Sequence, residues 1–170
     1  LNHHIMASAG IFEDMFSGAG MEYLYFRPND NYAFGVDVFK VRKRDYSWRF
    51  GHLDYENTLA TANFYYRNYG TIPFDMRLSA GEYLAGDVGY TIEFSRSFYN
   101  GVYFGVFATF TDVTTRQFGE GSFDKGVFFN IPIYGNLINY TWRPLTKDPG
   151  AKLNRRHTLH GLLVRLRPIN

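Results

Sequence analysis

Three charges, Glu120, Asp124 and Lys125, sit among three glycines in "FGEGSFDKGVFFNIP", Phe118 to Pro132. Two carboxylates flanking one glycosidic bond are what sugar hydrolysis requires. Glu120 and Asp124 offer such a pair. Their spacing in a glycine-rich loop does not fix their separation in space, and no third group stands beside them to tune a pKa. Gly119, Gly121 and Gly126 do not match the spacing of a phosphate-binding loop, and no Gly-Lys-Ser/Thr follows. The competing reading is a polar hairpin connection with its charges in water.

Other chemistries are weaker. The chain has no Cys, which excludes disulfides, thiolate metal sites and Cys nucleophiles. His157 and His160 would point to opposite faces of a strand, so they would not share a metal, and His3 and His4 fail for the same reason. Ser122, His52 and Asp54 make a triad only on paper, because no strand–elbow–helix context supports it. No metal and no cofactor is expected. Basic residues interleaved with rings are more informative. Lys40, Arg42, Lys43 and Arg44 run into Tyr46, Trp48 and Phe50, and "WRPLTKDPGAKLNRRH" carries Trp142, Arg143, Arg155 and Arg156. Such stretches can hold a sugar chain or a nucleic-acid strand. The formal net charge of +2 argues against nucleic acid. A plainer reading is a strand running out of a membrane into a charged loop. Pro144 and Pro149-Gly150 shape the second stretch.

Strands must position these residues. "DVGYTIEFSRSF" places Val88, Tyr90, Ile92 and Phe94 on one face and Gly89, Thr91, Glu93 and Ser95 on the other, a period of two. Asn100-Gly101 then marks a hairpin. "NYAFGVDVFKVRKR" alternates likewise, with Tyr32, Phe34, Val36, Val38, Lys40 and Arg42 sharing a face. Further strands are predicted at Met21–Pro28, Thr58–Asn68, Ile5–Phe12, Phe74–Tyr83, Gly101–Phe110, Lys125–Ile131, Ile138–Arg143 and Thr158–Arg165. Asp45 to Asn57 and Lys147 to Arg156 are predicted as loops. The length of 170 residues fits a single domain, 1–170.

Rings make up 19% of the chain, more than one soluble core needs. Rings with a polar tip gather where apolar solvent meets water, as at the rims of a membrane barrel. No stretch is long and apolar enough for a membrane helix. "LNHHIMASAG" lacks the basic-then-apolar order of a leader, which predicts a mature product or an internal piece. The pattern fits an all-β chain, either an antiparallel up-and-down membrane β-barrel of roughly 8–12 strands or a soluble β-domain with its rings turned inward. Small Gly, Thr and Ser on the polar face of the Val88–Phe94 strand suit a lumen.

Four segments together resemble the C-terminal portion of the YjbH/GfcD family of exopolysaccharide and capsule biosynthesis proteins. They are "SAGIFEDMFSGAGMEYLYFRP", "SAGEYLAGDVGYTIEFSRSFYNGVYFGVFATFTDV", "FGEGSFDKGVFFNIP" and "WRPLTKDPGAKLNRR". The resemblance implies a non-catalytic bacterial outer-membrane β-barrel, one barrel or part-barrel of a longer protein, that provides or supports a path for polysaccharide. The expected partners are outer-membrane lipid, the exopolysaccharide or capsule chain, and periplasmic and lipoprotein components of the same operon, with no nucleic acid. Its motif positions are Glu13, Asp14, Glu82, Asp87, Glu120, Asp124, Lys125, Arg143, Arg155 and Arg156. With Lys40, Arg42, Arg44, Trp48 and Trp142, these are the candidate lumen, loop or polysaccharide contacts. Outer-membrane barrels often end on an aromatic residue, whereas this chain ends "RLRPIN". Two other readings are a periplasm-facing carbohydrate-binding β-domain, with Trp48 and Trp142 as contacts, and a polysaccharide-modifying enzyme using Glu120 and Asp124.

Overall fold

The computed structural model describes residues 2–13, 15–46, 51–114, 123–133, 138–142 and 158–166. Among the described residues nine strands follow one another. They are β1 (His3–Glu13), β2 (Phe16–Phe26), β3 (Tyr32–Arg44), β4 (His52–Asn68), β5 (Phe74–Glu82), β6 (Val88–Ser97), β7 (Tyr103–Thr111), β8 (Asp124–Ile133) and β9 (Ile138–Trp142), and a helix, α1 (Leu159–Leu166), comes last. The strands form one sheet in chain order, each antiparallel to the next. This is the up-and-down order expected from the alternating patterns. A short turn holds the β6–β7 hairpin. Gly101 takes a φ of 79° at the Asn100-Gly101 turn, a conformation that a side chain disfavours. There the Phe98 N–H donates to the Val102 carbonyl at 2.8 Å.

The alternation sorts side chains in an unusual sense. An antiparallel sheet in water turns its apolar face to the core. Here β3 exposes Tyr32, Phe34, Val36 and Val38 and buries Ala33, Gly35, Phe39 and Val41. On β6, Val88, Tyr90 and Phe94 are exposed, while Thr91, Glu93 and Ser95 are buried. The register carries the outward set across the sheet: Tyr23 opposes Val36, Val36 opposes Ala62, and Ala62 opposes Ala80. Outward rings form contiguous groups. Phe34 meets Tyr32 and Phe64 at 5.7 and 5.2 Å, and Phe74 meets Tyr66 and Phe94 at 6.3 Å each. Toward the opposite strand ends, Phe110 stacks on Tyr90 and Phe123 at 5.1 and 4.8 Å.

The inner face is mixed. One apolar cluster joins Leu24, Phe26, Ala33 and Tyr65 to Leu159 and Leu163 of α1. A second joins Phe16, Phe39, Val41 and Leu59. Rings also close over glycines of neighbouring strands. A Cβ at Gly20 would meet the Phe39 ring, and one at Gly105 would run into the Phe128 ring. Removing the side chain from one strand lets an aromatic from the next lie flat against it.

The structure corrects several expectations. Among the described residues no ladder joins β1 to β9, so the described strands form an open sheet rather than a closed barrel. Two features explain this. In an up-and-down order of nine strands the first and last run the same way, so closing them on each other needs a parallel seam. The five residues of β9 also cannot cover the eleven of β1. The segment predicted as a strand, Thr158–Arg165, is the helix α1. Leu159 and Leu163, four apart, fall on one helical face and meet the first cluster. The loop expected over Asp45–Asn57 is shorter, because β4 begins at His52 and pairs that residue with Arg44. Pro132, expected to end its strand, lies one residue inside β8 opposite Asn139. Among the described residues no helix is long and apolar enough to cross a membrane, a test that does not apply to strands.

Candidate functional site

The ladder builds a polar band on the inner face of β3 to β7. Arg67 faces Asp75 across β4–β5, and Arg77 faces Tyr65 on one side and Glu93 on the other. Arg67 grips Asp75 through two parallel bonds, Nε to Oδ1 at 2.5 Å and Nη2 to Oδ2 at 2.7 Å. Two-point contacts of this kind fix orientation as well as charge. Arg77 Nη2 donates to Asn63 Oδ1 at 2.8 Å, and its Nη1 lies 3.9 Å from Glu93 Oε2. The guanidinium also sits 5.6 Å from the centre of the Tyr65 ring. Asn63 is the hub. It accepts from Ser79 Oγ at 2.7 Å and donates to Asp37 Oδ2 at 3.2 Å. The Tyr103 hydroxyl donates to Ser95 Oγ at 2.8 Å.

The helix closes this band from inside. Thr158 caps it, its Oγ1 accepting the Gly161 N–H at 3.0 Å. The buried Glu22 carboxylate accepts the Leu159 N–H at 2.9 Å. A negative group at a helix start is favoured by the unsatisfied N–H groups there. His160 then stacks on Tyr65, with centroids 5.2 Å apart and planes 13° from parallel. A cavity remains between α1 and the sheet, lined by Tyr65, Arg67, Asp75, Met76, Arg77, Glu93, Ser95, Tyr103, His160 and Leu163. Carboxylates stand beside both guanidiniums. The cavity therefore carries little net charge, and its volume of about 20 Å³ has room for a water-sized group.

Beside this band, in the β5–β6 connection, Tyr83 shares its hydroxyl with Thr91 Oγ1 at 2.6 Å, and Thr91 continues to Thr109 Oγ1 at 2.9 Å. Burial pushes the Tyr83 phenol above its ordinary value, the Thr91 bond opposes this, and the Asp87 carboxylate adds to it. Tyr83 stays a neutral hydroxyl.

The residues singled out in the sequence fall elsewhere. Lys40 and Arg42 face outward, paired with Glu56 at 2.6 and 3.3 Å, so they do not line the inner cavity. Arg44 is half-buried at the end of β3, where its N–H donates to the Met15 carbonyl at 2.8 Å. Asp87 is buried in the β5–β6 connection, and its carbonyl accepts the Tyr83 N–H at 2.8 Å. Asp124 is buried at the start of β8, opposite Thr109. Its neighbour Lys125 is exposed, with Nζ 4.7 Å from the Phe123 ring centre. Trp142 pairs with Phe129 through the backbone of β9, and its side chain is not described. Glu13 and Glu82 end β1 and β5. Asp14, Trp48, Glu120, Arg143, Arg155 and Arg156 lie outside the described residues, as does His157. Among the described residues no group of three or more His, Asp or Glu could hold a metal ion.

Sequence reasoning placed Glu93 on the polar face but missed Arg67, Asp75, Arg77, Asn63, Tyr65 and Glu22. A signal was present: apart from Arg67, which precedes Asn68, each is a large polar residue flanked by rings or aliphatics.

The profile of the YjbH family, described as "Exopolysaccharide biosynthesis protein YbjH", matches residues 1–165. The lipoprotein YjbH of Escherichia coli (strain K12) is 35% identical over 165 residues, covering 90% of this chain and 23% of that relative. The chain thus spans 23% of the relative's length. No solved structure matches it.

Proposed function

The chain belongs to the YjbH family of exopolysaccharide biosynthesis proteins, and we propose that it is the membrane-spanning part of an outer-membrane β-barrel that supports passage of an exopolysaccharide. It cleaves no bond in this role. The observation that carries the reading is the inverted polarity of the sheet. Phe34, Val36 and Val38 are 48%, 47% and 45% exposed, while Glu22, Asn63, Arg67 and Glu93 are all below 7%. In water each of these half-exposed side chains forgoes roughly half of the 1.5–3 kcal/mol that full burial would give. In lipid the outward positions are satisfied. Strands β1 to β8 run from 9 to 17 residues, and about 9–11 residues cross a bilayer at a tilt. Ring groups toward both strand ends match interfacial girdles.

The remainder of the longer protein supplies the strands that complete the wall beside β1. A relative named as a lipoprotein supports an envelope location. The polymer passes the inner side of the sheet, where the half-buried Arg77, Tyr103 and His160 stand. Other proteins of the polysaccharide pathway deliver and receive it.

The experiment uses the full-length protein in its host envelope. Val36→Arg places a charge on the outward face midway along β3. In a lipid-facing wall it is expected to cost about 2–4 kcal/mol and to deplete the folded, heat-modifiable form from the membrane fraction. On a water-facing surface the same change costs within about 0.5 kcal/mol. Unchanged folded protein would overturn the membrane reading. For the path, His160→Ala is expected to lower secreted polymer several-fold at equal amounts of folded protein. Equal secretion would remove the inner side of the sheet beside α1 from the route.

A further inference from the structure

On β3 the outward positions read Tyr32, Phe34, Val36, Val38, Lys40, Arg42. Four apolar side chains are followed by two cations, 65% and 54% exposed. Across the ladder Arg42 faces Glu56 on β4 and Ser17 on β2, and Lys40 faces Thr58 and Ala19. Glu56 is the carboxylate that meets both cations, Oε1 to Lys40 Nζ at 2.6 Å and Oε2 to Arg42 Nε at 3.3 Å. The Ser17 hydroxyl on the adjacent strand shares a hydrogen bond of 2.6 Å with His52 Nε2. Lys40, Arg42 and Glu56 together carry one more positive than negative charge, and both cations are exposed.

We infer that Lys40 and Arg42, steadied by Glu56, form a binding site for the phosphate of an anionic lipid headgroup. This rests on the membrane reading. A strand that leaves lipid after Val38 puts its next two outward side chains at headgroup depth, and the β3–β4 hairpin continues past them to Arg44 and His52. Long cationic side chains lie along apolar surface with their charge at the interface. The guanidinium fork matches two phosphate oxygens and the ammonium adds a point charge. Arg42 Nε lies 3.3 Å from Glu56 Oε2 while the Arg42 side chain stays 54% exposed, so the guanidinium is accessible to a ligand.

The test reconstitutes the full-length protein into phosphatidylcholine vesicles doped with phosphatidylglycerol, then counts lipid retained on the released protein by native mass spectrometry. Wild type is expected to retain phosphatidylglycerol over phosphatidylcholine. Each removed cation lowers that preference about fivefold, the equivalent of about 1 kcal/mol per Lys or Arg near a membrane surface. Lys40→Gln and Arg42→Gln should therefore each lower it and add when combined. Glu56→Gln should raise it, a sign that a purely structural role for the pair would not give. Inorganic phosphate should not displace the lipid. An unchanged preference in the Lys40→Gln/Arg42→Gln double variant, or equal retention of both lipids by wild type, overturns the site while leaving the membrane reading intact. A wild-type protein that fails to float with vesicles of either composition overturns both.

Discussion

Asp75 illustrates how much the inner band depends on single groups. Its carboxylate is the two-point partner of Arg67, whose side chain is only 8% exposed. Asp75→Asn keeps the shape and removes the charge that meets the buried Arg67 guanidinium at two points. Breaking a buried pair from one side typically costs about 3–5 kcal/mol, whereas replacing both partners with apolar groups is far milder. Asp75→Asn is expected to lower the temperature of heat-modification markedly, and the Arg67→Leu/Asp75→Leu double variant to recover most of the loss. Equal loss in both variants would count against the pair. Gly105 carries a second residue-scale expectation. A side chain there collides with the Phe128 ring, so Gly105→Val is expected to destabilise by about 1–3 kcal/mol, checked by the same shift. At this scale Glu93 was legible, because it interrupts a small polar face. The Arg67–Asp75 and Arg77–Asn63 bonds were not, because they depend on strand register, which a hairpin's residue types constrain but do not set alone.

The helix α1 is an element whose identity is decided by tertiary contacts. "HTLHGLLVRL" alternates well enough to pass for a strand, and eight residues are too few for a stable helix alone. Its start is secured by Glu22, 137 residues earlier, a partner no local reading can supply. Glu22→Gln keeps an acceptor but removes the charge, and is expected to weaken docking by about 1 kcal/mol. Leu163→Ala removes a side chain from the cluster with Leu24, Phe26 and Tyr65 and is expected to cost about 2–4 kcal/mol. Hydrogen exchange over Thr158–Leu166 reads both, with faster exchange expected in Leu163→Ala than in Glu22→Gln. The strands, by contrast, were legible from period two alone. β3 and β6 have the faces that their alternation assigns, and the Asn100-Gly101 hairpin stands where its residues place it.

For the whole molecule, the alternating pattern left two outlets, rings inward in water or rings outward in lipid. Periodicity alone could not choose between them, since both use the same period. The structure places Val36, Leu78, Phe94 and Val106 outward and exposed, and Ser79 and Thr91 inward and buried. Closure was not legible either. It depends on which strand lies beside β1, and the residue pattern of β1 does not name its neighbour. The most direct measurement introduces single cysteines into the full-length protein, freed of any others, at Val36, Leu78 and Val106 and at Ser79 and Thr91. After spin-labelling in lipid vesicles, collision rates with oxygen and with a water-soluble nickel chelate are compared. The outward positions are expected to favour oxygen strongly, and the inner positions to meet little of it. Outward labels that meet the nickel chelate as freely as one at Tyr99, an exposed turn residue, would contradict a lipid-facing wall.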